Sequence, residues 1–240
     1  DYAIGSGAFS IAAGDFDADG RPDLVTANAW THDLSVLRGS GRGMFDSALT
    51  LPTGRTPSSV AAVDLNGDYQ TDLAVTSGDD NLISVFLSTG FLHFAPAVNY
   101  GVGRFPSALA HADFDRDGAV DLLVVNEDGK SLTLLNGDGR GRFQAAPERD
   151  IAIESRAVVV ADWNGDGVQD LALSNVRDRS VAMLIGDGHG RFGELLSFSL
   201  GMNPSSLFAA DLDGDHRPDL VTANFAAQHS TVGLLINQTR

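Results

Sequence analysis

The chain has 240 residues, 43% of them hydrophobic, which is enough to bury a sizeable core. It contains no cysteine, which excludes disulfides and thiolate metal sites, and no stretch approaches the roughly 18 apolar residues of a membrane-spanning helix. The formal net charge of −16 argues against a nucleic-acid partner. The chain begins at Asp1 without a signal peptide, and we interpret it as a mature or trimmed chain.

Four short β-strands are predicted in each of five consecutive stretches of the chain. The first strand precedes an acidic loop and begins near residues 11, 60, 109, 158 and 207, and the second begins after that loop at residues 24, 73, 122, 171 and 220. A third strand begins near residues 34, 83, 132, 181 and 232, and a fourth alternates apolar and polar side chains, most clearly over residues 196–200. Short apolar runs bounded by Gly, Asn and Asp are typical of strands, and none is long enough for a helix.

The acidic loops recur at a fixed spacing. They begin at Asp15, Asp64, Asp113, Asp162 and Asp211, so successive copies are 49 residues apart. Self-similarity at a fixed period of this size indicates a repeat architecture. We therefore predict a single domain over residues 1–240 made of five 49-residue repeats, although length alone would also allow two domains.

Each acidic loop has oxygen-bearing side chains at its first, third, fifth and ninth positions, and its seventh position can add a backbone carbonyl. Calcium prefers about six to eight oxygen ligands, whereas magnesium requires a stricter octahedron. The alternative interpretation is that Asp and Asn only form Asx turns here. We predict up to five Ca²⁺ ions, held by Asp15, Asp17, Asp19, Arg21 and Asp23; Asp64, Asn66, Asp68, Gln70 and Asp72; Asp113, Asp115, Asp117, Ala119 and Asp121; Asp162, Asn164, Asp166, Val168 and Asp170; and Asp211, Asp213, Asp215, Arg217 and Asp219.

The five loops are not equivalent. The sixth position favours glycine, because a sharp ligating loop needs a positive φ there, and three loops have glycine while Tyr69 and His216 occupy the position in loops two and five. Asn66 and Asn164 replace one carboxylate in loops two and four. We therefore expect the highest calcium affinity in loops one and three and the lowest in loop two.

The loop pattern Asp-x-Asp-x-Asp-Gly-x-x-Asp-Leu, the Val-Thr-Ala-Asn strand that follows it and Gly-Asp-Gly-x-Gly-Arg-Phe at residues 137–143 and 186–192 resemble a known repeat. This is the FG-GAP/VCBS-type repeat, the calcium-loop blade of integrin α-chain propellers. The resemblance covers the whole chain and implies a β-propeller with calcium in the loop between the first and second strands of each blade. It does not imply a ligand, because the family serves in adhesion, in sugar binding and as an appendage of enzymes.

We predict an all-β fold, a five-bladed β-propeller of four-stranded blades. Phe45, Phe94, Phe143 and Phe192 precede the fourth strands at intervals of 49 residues, and a fifth counterpart would lie beyond residue 240. Residues 1–5 align with the start of a fourth strand, so we expect them to complete the last blade and close the ring of a monomer. The alternative is five repeats of a seven-bladed ring, which would leave two apolar blade faces uncovered.

A ligand is expected on the rim opposite the acidic loops, because the loops there differ between repeats and variable loops carry specificity. Aromatic side chains beside polar donors suit sugar rings or peptide side chains, although aromatic residues could instead cap the packing between blades and the charges could simply be solvated. The candidate residues are Trp30, His32, Arg55, Arg104, Phe105, Arg156, Arg177, Arg179, Phe225 and His229.

No catalytic constellation is recognisable, so the sequence favours a binding module over an enzyme. We expect a secreted or cell-surface, lectin-like module that binds a glycan. Adhesion to an extracellular protein, as in integrins, is the alternative, and a polysaccharide-active enzyme or its non-catalytic appendage is a third. Neither nucleic acid nor membrane insertion is expected.

Overall fold

All regular structure in the described part of the chain is β. The computed structural model describes residues 1–200, 203–225 and 230–238, and its strands form five consecutive antiparallel blades. No helix in these ranges has the length and apolar character needed to cross a membrane. The prediction of an all-β, five-bladed propeller is confirmed.

The blades follow the repeats in chain order. Blade 1 contains β1 (Ala8–Gly14), β2 (Asp23–Asn28), β3 (Asp33–Leu37), β4 (Gly39–Gly41), β5 (Met44–Phe45) and β6 (Leu49–Pro52). Blade 2 contains β7 (Pro57–Val63), β8 (Asp72–Ser77), β9 (Leu82–Phe86), β10 (Ser88–Gly90), β11 (His93–Phe94) and β12 (Val98–Gly101). Blade 3 contains β13 (Pro106–Ala112), β14 (Asp121–Asn126), β15 (Ser131–Gly137), β16 (Phe143–Ala145) and β17 (Arg149–Asp150). Blade 4 contains β18 (Val158–Ala161), β19 (Asp170–Asn175), β20 (Ser180–Gly186) and β21 (Phe192–Ser199), and blade 5 contains β22 (Asn203–Ala210), β23 (Asp219–Phe225) and β24 (Thr231–Leu235).

The core lies between neighbouring blades. The second strands of blades 2, 3 and 4 are buried along their whole length, as expected for strands that are apolar on both faces. Between blades 1 and 2, Val25 and Leu34 pack with Leu73 and Val75, and comparable clusters lie between each later pair of blades. The inner strands β1, β7, β13, β18 and β22 also contact one another in series. Each blade therefore depends on its neighbours to bury its apolar faces.

The loops gather on two rims, as the sequence predicted. On one rim, the buried Asp23 at the start of β2 accepts a hydrogen bond from the amide of Gly39, which brings the acidic loop beside the turn between the third and fourth strands. On the other rim, the amide of Gly78, after β8, donates to the carbonyl of Thr56, before β7. The repeated acidic loops and the variable loops are thus on opposite rims of the molecule.

The structure does not show the predicted ring closure. In blade 5, the described strands form a three-stranded sheet in which residues 1–5 take no part. These residues lie instead on blade 1: Tyr2 packs edge-on against Phe45 with ring centroids 5.5 Å apart, and the Gly5 amide donates to Ser35 Oγ at 3.0 Å. Tyr100 of blade 2 meets Phe143 of blade 3 in the same way, at 5.7 Å. The N-terminal segment therefore occupies the place of an outer strand preceding blade 1, but it does not pair with β24.

Candidate metal-binding loops and ligand rim

The first aspartate of each acidic loop folds the loop around its own carboxylate. In loop 1, Asp15 accepts hydrogen bonds from the amides of Asp19 at 3.1 Å and Gly20 at 2.8 Å. The corresponding residues Asp64, Asp113, Asp162 and Asp211 accept from backbone amides of their own loops in the same manner. These bonds reach four and five residues along the chain and close each loop around its first aspartate. The Asx turns considered from the sequence are formed by the third side chain, which accepts a hydrogen bond from the amide two residues on in all five loops.

The third, fifth and seventh positions continue this arrangement. The third side chain accepts from the fifth amide, and the fifth side chain accepts from the seventh amide, as in the 2.9 Å bond from Arg21 to Asp19. The side chains of Arg21 and Arg217 also turn back to Asp19 and Asp215, at 3.6 and 3.5 Å. The predicted ligand positions of each loop thus lie along one compact turn.

The ninth aspartate of each loop is fully buried and joins two turns. Asp72 accepts hydrogen bonds from the amides of Leu65 at 2.9 Å and Ser88 at 2.7 Å. Burial away from water raises the pKa of Asp72 to about 6, although the two backbone bonds oppose this. The equivalent residues with the same two types of backbone donor are Asp23, Asp121, Asp170 and Asp219.

Three loops bring carboxylates of three aspartates to within 4.8 Å of one another. The groups are Asp15, Asp17 and Asp19; Asp113, Asp115 and Asp121; and Asp211, Asp213 and Asp219. Loops 2 and 4 have Asn66 and Asn164 at the third position, and each donates from its amide nitrogen to the fifth-position aspartate. These donor sets consist of hard oxygens in close groups, which fits calcium.

A positively charged side chain that the sequence did not predict also contacts the carboxylates of loop 1. Arg38 Nε lies 2.5 Å from Asp17 and its Nη2 lies 2.9 Å from Asp19. The hydrogen bond from Arg38 lowers the pKa of Asp17. The corresponding residues of the next two blades, Leu87 and Asn136, are uncharged. An arginine at a repeat position that is otherwise uncharged is the sequence feature that could have indicated this contact. Because Arg38 already pairs with two of the predicted ligands, it weakens the expectation that loop 1 shares the highest calcium affinity with loop 3.

Trp30 is an exposed aromatic platform on the variable rim. The indole is 75% exposed and lies over Gly7, where a Cβ would come 2.6 Å from its Cγ. Its neighbour His32 accepts a hydrogen bond at Nδ1 from the amide of Thr56, which joins the rim loops of blades 1 and 2. The repeat positions equivalent to Trp30 are Asp79, Asp128 and Arg177, so the propeller fold does not require an aromatic residue here.

The basic candidates on this rim are largely engaged in ion pairs. Arg55, before β7, contacts Asp80, after β8 of the same blade, at 2.7 Å. Arg156, before β18 of blade 4, contacts Glu127, after β14 of blade 3, at 2.6 Å. Arg177 lies 3.7 Å from Glu154, which also pairs with Lys130 at 3.2 Å. The rim is therefore a mixed charged surface in which these residues hold neighbouring loops together.

The remaining candidates are spread around the rim. Phe105 packs against Gly78 and its amide donates to Asn81 at 2.8 Å, so it has a clear packing role. Arg104, Arg179 and Phe225 are exposed. Arg179 also has a positive φ of 53° in the turn before β20. His229 lies outside the described residues, so its assignment to the ligand site stays a prediction.

The amino-acid sequence matches the FG-GAP-like repeat family over residues 15–75, 64–124, 113–173 and 169–222. No curated protein sequence matches the chain significantly.

Three solved structures show the same type of fold. A lectin of Agrocybe aegerita, described as recognising non-reducing terminal N-acetylglucosamine, has a TM-score of 0.61 and 19% identity, with 95% of this chain and 63% of that chain covered. A protein from Lactobacillus plantarum has a TM-score of 0.58 and 15% identity, with 98% and 72% covered. The V. cholerae biofilm matrix protein Bap1 has a TM-score of 0.56 and 17% identity, with 99% and 38% covered. The chain thus spans less than two thirds of the lectin's length, and identities this low show the fold alone.

Proposed function

Since this chain belongs to the FG-GAP-like repeat family, we propose that it is a calcium-stabilised β-propeller that binds a carbohydrate on the variable rim. The two rims have separate tasks in this proposal. The acidic rim holds metal and fixes the turns, whereas the variable rim presents the ligand-binding surface.

The carboxylate groups of loops 1, 3 and 5 support the calcium part of the proposal. When bound, the ion would neutralise carboxylates that otherwise repel one another within a tight turn. The side chains at positions one, three, five and nine would hold it, and in loops 3 and 5 the ninth aspartate belongs to the close carboxylate group. The ninth aspartate also connects that centre to the strand core through its backbone bonds. Oxygen-rich sites of this kind suit millimolar extracellular calcium, so the proposal includes a secreted or cell-surface location.

The single observation that supports sugar binding is the exposed Trp30. An indole fixed over a glycine loses little conformational freedom on binding, and its face offers apolar area to the C–H side of a sugar ring. Donors and acceptors lie in the same rim loops, including Thr31, His32 and Asp80. An aromatic face bordered by polar groups is a common arrangement for small-ligand recognition.

The lectin with a similar fold suggests the first ligand to test. That protein is described as recognising non-reducing terminal N-acetylglucosamine, and we carry this chemistry to the present chain as part of the proposal.

A glycan array in the presence of calcium tests the function. We expect binding to glycans with exposed terminal sugars, and we expect Trp30→Ala to weaken it by at least about tenfold, because removing a central aromatic anchor commonly costs about 2 kcal/mol or more. Tyr69→Ala is the matched control, because Tyr69 is a 97% exposed aromatic residue on the opposite rim. Both variants should melt like the parent protein.

Two outcomes contradict the proposal. One is an array without any bound glycan. The other is glycan binding that Trp30→Ala leaves intact, which would place the site elsewhere on the molecule.

A further inference from the structure

A cavity of about 420 Å³ lies among the outer strands of blades 3 and 4. Blade 3 contributes residues of β14 and β15 and of the segment between β16 and β17, and blade 4 contributes the turn that leads into β21. Both blades lie wholly within the described residues, so both walls of the cavity are complete. Its lining includes neither a predicted metal ligand nor a candidate residue of the variable rim, so the proposed function does not use it.

The same place between blades 2 and 3 is filled by a tyrosine ring. Tyr100 of blade 2 packs edge-on against Phe143 of blade 3 with ring centroids 5.7 Å apart, and its hydroxyl accepts a hydrogen bond from the Phe143 amide at 3.3 Å. Tyr2 makes the same two contacts with Phe45. At the cavity, the repeat position of Tyr100 is taken by Arg149, whose narrow aliphatic stem fills this space less completely than a ring.

The cavity is mainly apolar. The outer strand of blade 3 is divided around Pro147, so this side of the cavity lacks a continuous fourth strand such as β21. A volume of this size falls within the range of small-ligand pockets, about 300–1,000 Å³. The apolar lining therefore suits a hydrocarbon group about as large as the tyrosine ring of the preceding interface, and it consists of Leu123, Leu132, Leu134, Ala146, Pro147 and Phe192.

Three basic side chains, Arg149, His189 and Arg191, border the cavity. Arg149 donates hydrogen bonds to two backbone carbonyls at the start of β21, which leaves three of its five N–H groups for other partners. No carboxylate of the described residues forms an ion pair with Arg149 or Arg191. Asp187 lies in the same turn, but its carboxylate accepts the amides of His189 and Arg191. The charge at this cavity therefore favours an anion, and a planar carboxylate matches the guanidinium groups.

Asn136 brings an unpaired amide to the same cavity. Its Oδ1 is buried, and no described residue donates a hydrogen bond to it. The equivalent residues of the neighbouring blades are Leu87 and Ile185, so the repeat does not require a polar side chain here. A half-turn of the amide exchanges Oδ1 with Nδ2, and a hydroxyl group pairs with either atom because it both donates and accepts. A ligand with a hydroxyl group would thus satisfy a polar group that the fold leaves without a partner.

We propose that this cavity binds a small hydroxyaryl carboxylate, a free molecule with a phenolic ring, a short aliphatic link and a carboxylate. The ring would lie among the leucines, in the space that Tyr100 fills one interface earlier. The carboxylate would pair with Arg149 and Arg191, and the hydroxyl with Asn136. Burial of the ring provides affinity, and the charged and polar contacts fix the orientation of the ligand.

The probe is para-hydroxyhydrocinnamate, titrated by calorimetry into the full 240-residue chain at saturating calcium. We expect saturable binding of one molecule per chain. The compound para-ethylphenol lacks the carboxylate and should bind at least about tenfold more weakly, because hydrogen bonds to charged groups are lost. Hydrocinnamate lacks the hydroxyl and should bind about threefold to tenfold more weakly, because one hydrogen bond is lost.

Arg149→Tyr tests the location of the site. It introduces the residue that blade 2 has as Tyr100, so it should fill the cavity, remove a cation and weaken binding of the probe at least about tenfold without lowering the melting temperature. Arg142→Tyr is the matched control, because Arg142 is the exposed counterpart of Arg191 in blade 3 and does not line the cavity. If the first variant fails to fold, Arg149→Leu takes its place, since blade 1 has Leu51 at this position.

Asn136→Leu tests the hydroxyl contact separately. The measured quantity is the ratio of the affinities for para-hydroxyhydrocinnamate and hydrocinnamate, which should fall to about one in this variant. Four results would overturn the inference. They are no binding of the probe to the parent protein, equal binding of para-ethylphenol, binding that Arg149→Tyr leaves intact, and an unchanged affinity ratio in Asn136→Leu.

Discussion

Each acidic loop contains two residues with left-handed backbone conformation, at its fourth and sixth positions. Tyr69 and His216 have the positive φ expected of the sixth position, 66° in each case. The fourth position was not expected to need a positive φ, yet Ala18 and Arg116 have φ values of 59° and 62°. The glycines at these positions in the remaining loops are Gly20, Gly67, Gly118, Gly165, Gly167 and Gly214.

This second position changes the predicted ranking of the loops. Loops 1, 2, 3 and 5 each hold one non-glycine residue at positive φ, whereas loop 4 has Gly165 and Gly167 at both positions. Backbone strain therefore does not distinguish loop 2 from loops 1 and 3. The missing carboxylate at Asn66 still does, and Arg38 sets loop 1 apart from loop 3. We now expect loop 3 to bind calcium most tightly.

Gly165→Ala should lower the free energy of unfolding by about 1 kcal/mol. Gly165 has φ 77°, and no atom lies within 4 Å of the position that a Cβ would occupy, so the cost arises from backbone strain and not from a clash. Urea denaturation at saturating calcium measures the change.

Gly101→Ala is the matched control for this substitution. A Cβ at Gly101 also meets no atoms within 4 Å, but this glycine has no positive φ, so alanine should be neutral or slightly stabilising. Equal effects of the two substitutions would contradict the left-handed conformation at the fourth loop position.

At the scale of elements, the sequence predicted which segments form strands better than it predicted the residues at which the strands end. The periodic apolar runs located the first three strands of each blade. The fourth strand differs between blades: β21 is continuous over eight residues, whereas the outer strand of blade 3 is divided into β16 and β17. Pro147 lies between these two segments, and proline has no amide hydrogen to donate to a neighbouring strand.

The acidic loops were predictable because their chemistry repeats, whereas the contacts of the variable rim were not. Five copies of one spacing fix which side chains share a turn. By contrast, Arg55 and Asp80 lie 25 residues apart in loops without repeated sequence, and the pairing of β7 with β8 brings them together. Arg38 illustrates the same difficulty, since its partners lie 21 and 19 residues away.

Removal of calcium should lower the melting temperature by more than about ten degrees. A site occupied at a free concentration about 100 times its Kd contributes about 2.7 kcal/mol, and 1 kcal/mol corresponds to about 2–4 °C in a domain of this size. Two such sites are sufficient for the effect. Scanning calorimetry with and without a chelator measures the melting temperature. Added calcium should restore the melting temperature to its original value. An unchanged melt in excess chelator would refute the metal assignment.

At the scale of the whole molecule, the described residues leave apolar side chains exposed on the outward faces of blades 1 and 5. Leu212 of blade 5 is 46% exposed, whereas Trp163 at the same repeat position is 4% exposed because blade 5 covers it. Phe208 and Val232 of blade 5 and Ile11 of blade 1 are likewise exposed. The seven-bladed alternative considered from the sequence anticipated two such faces, and the N-terminal segment covers only the outer part of the one on blade 1.

A pair of cysteines tests directly whether the ring closes. In blade 2, Gly101 pairs with Leu82 across the outer strands, and Ala3 and Thr231 hold the corresponding positions at the ends of the chain. Paired residues on neighbouring strands are about 4.5–5.5 Å apart at Cα, which suits a disulfide, and the parent chain has no cysteine to interfere.

Because residues 1–5 lie on blade 1 and do not pair with β24, we expect Ala3→Cys/Thr231→Cys to form no disulfide within one chain under mild oxidation. The control pair Leu82→Cys/Gly101→Cys should form one readily, because these residues are already neighbours in the sheet. Non-reducing electrophoresis and mass spectrometry distinguish the products. A monomeric disulfide in the first variant would instead establish the closed five-bladed ring. Covalent oligomers would show that the N-terminal segment of one copy reaches β24 of another, a head-to-tail contact that can propagate from chain to chain.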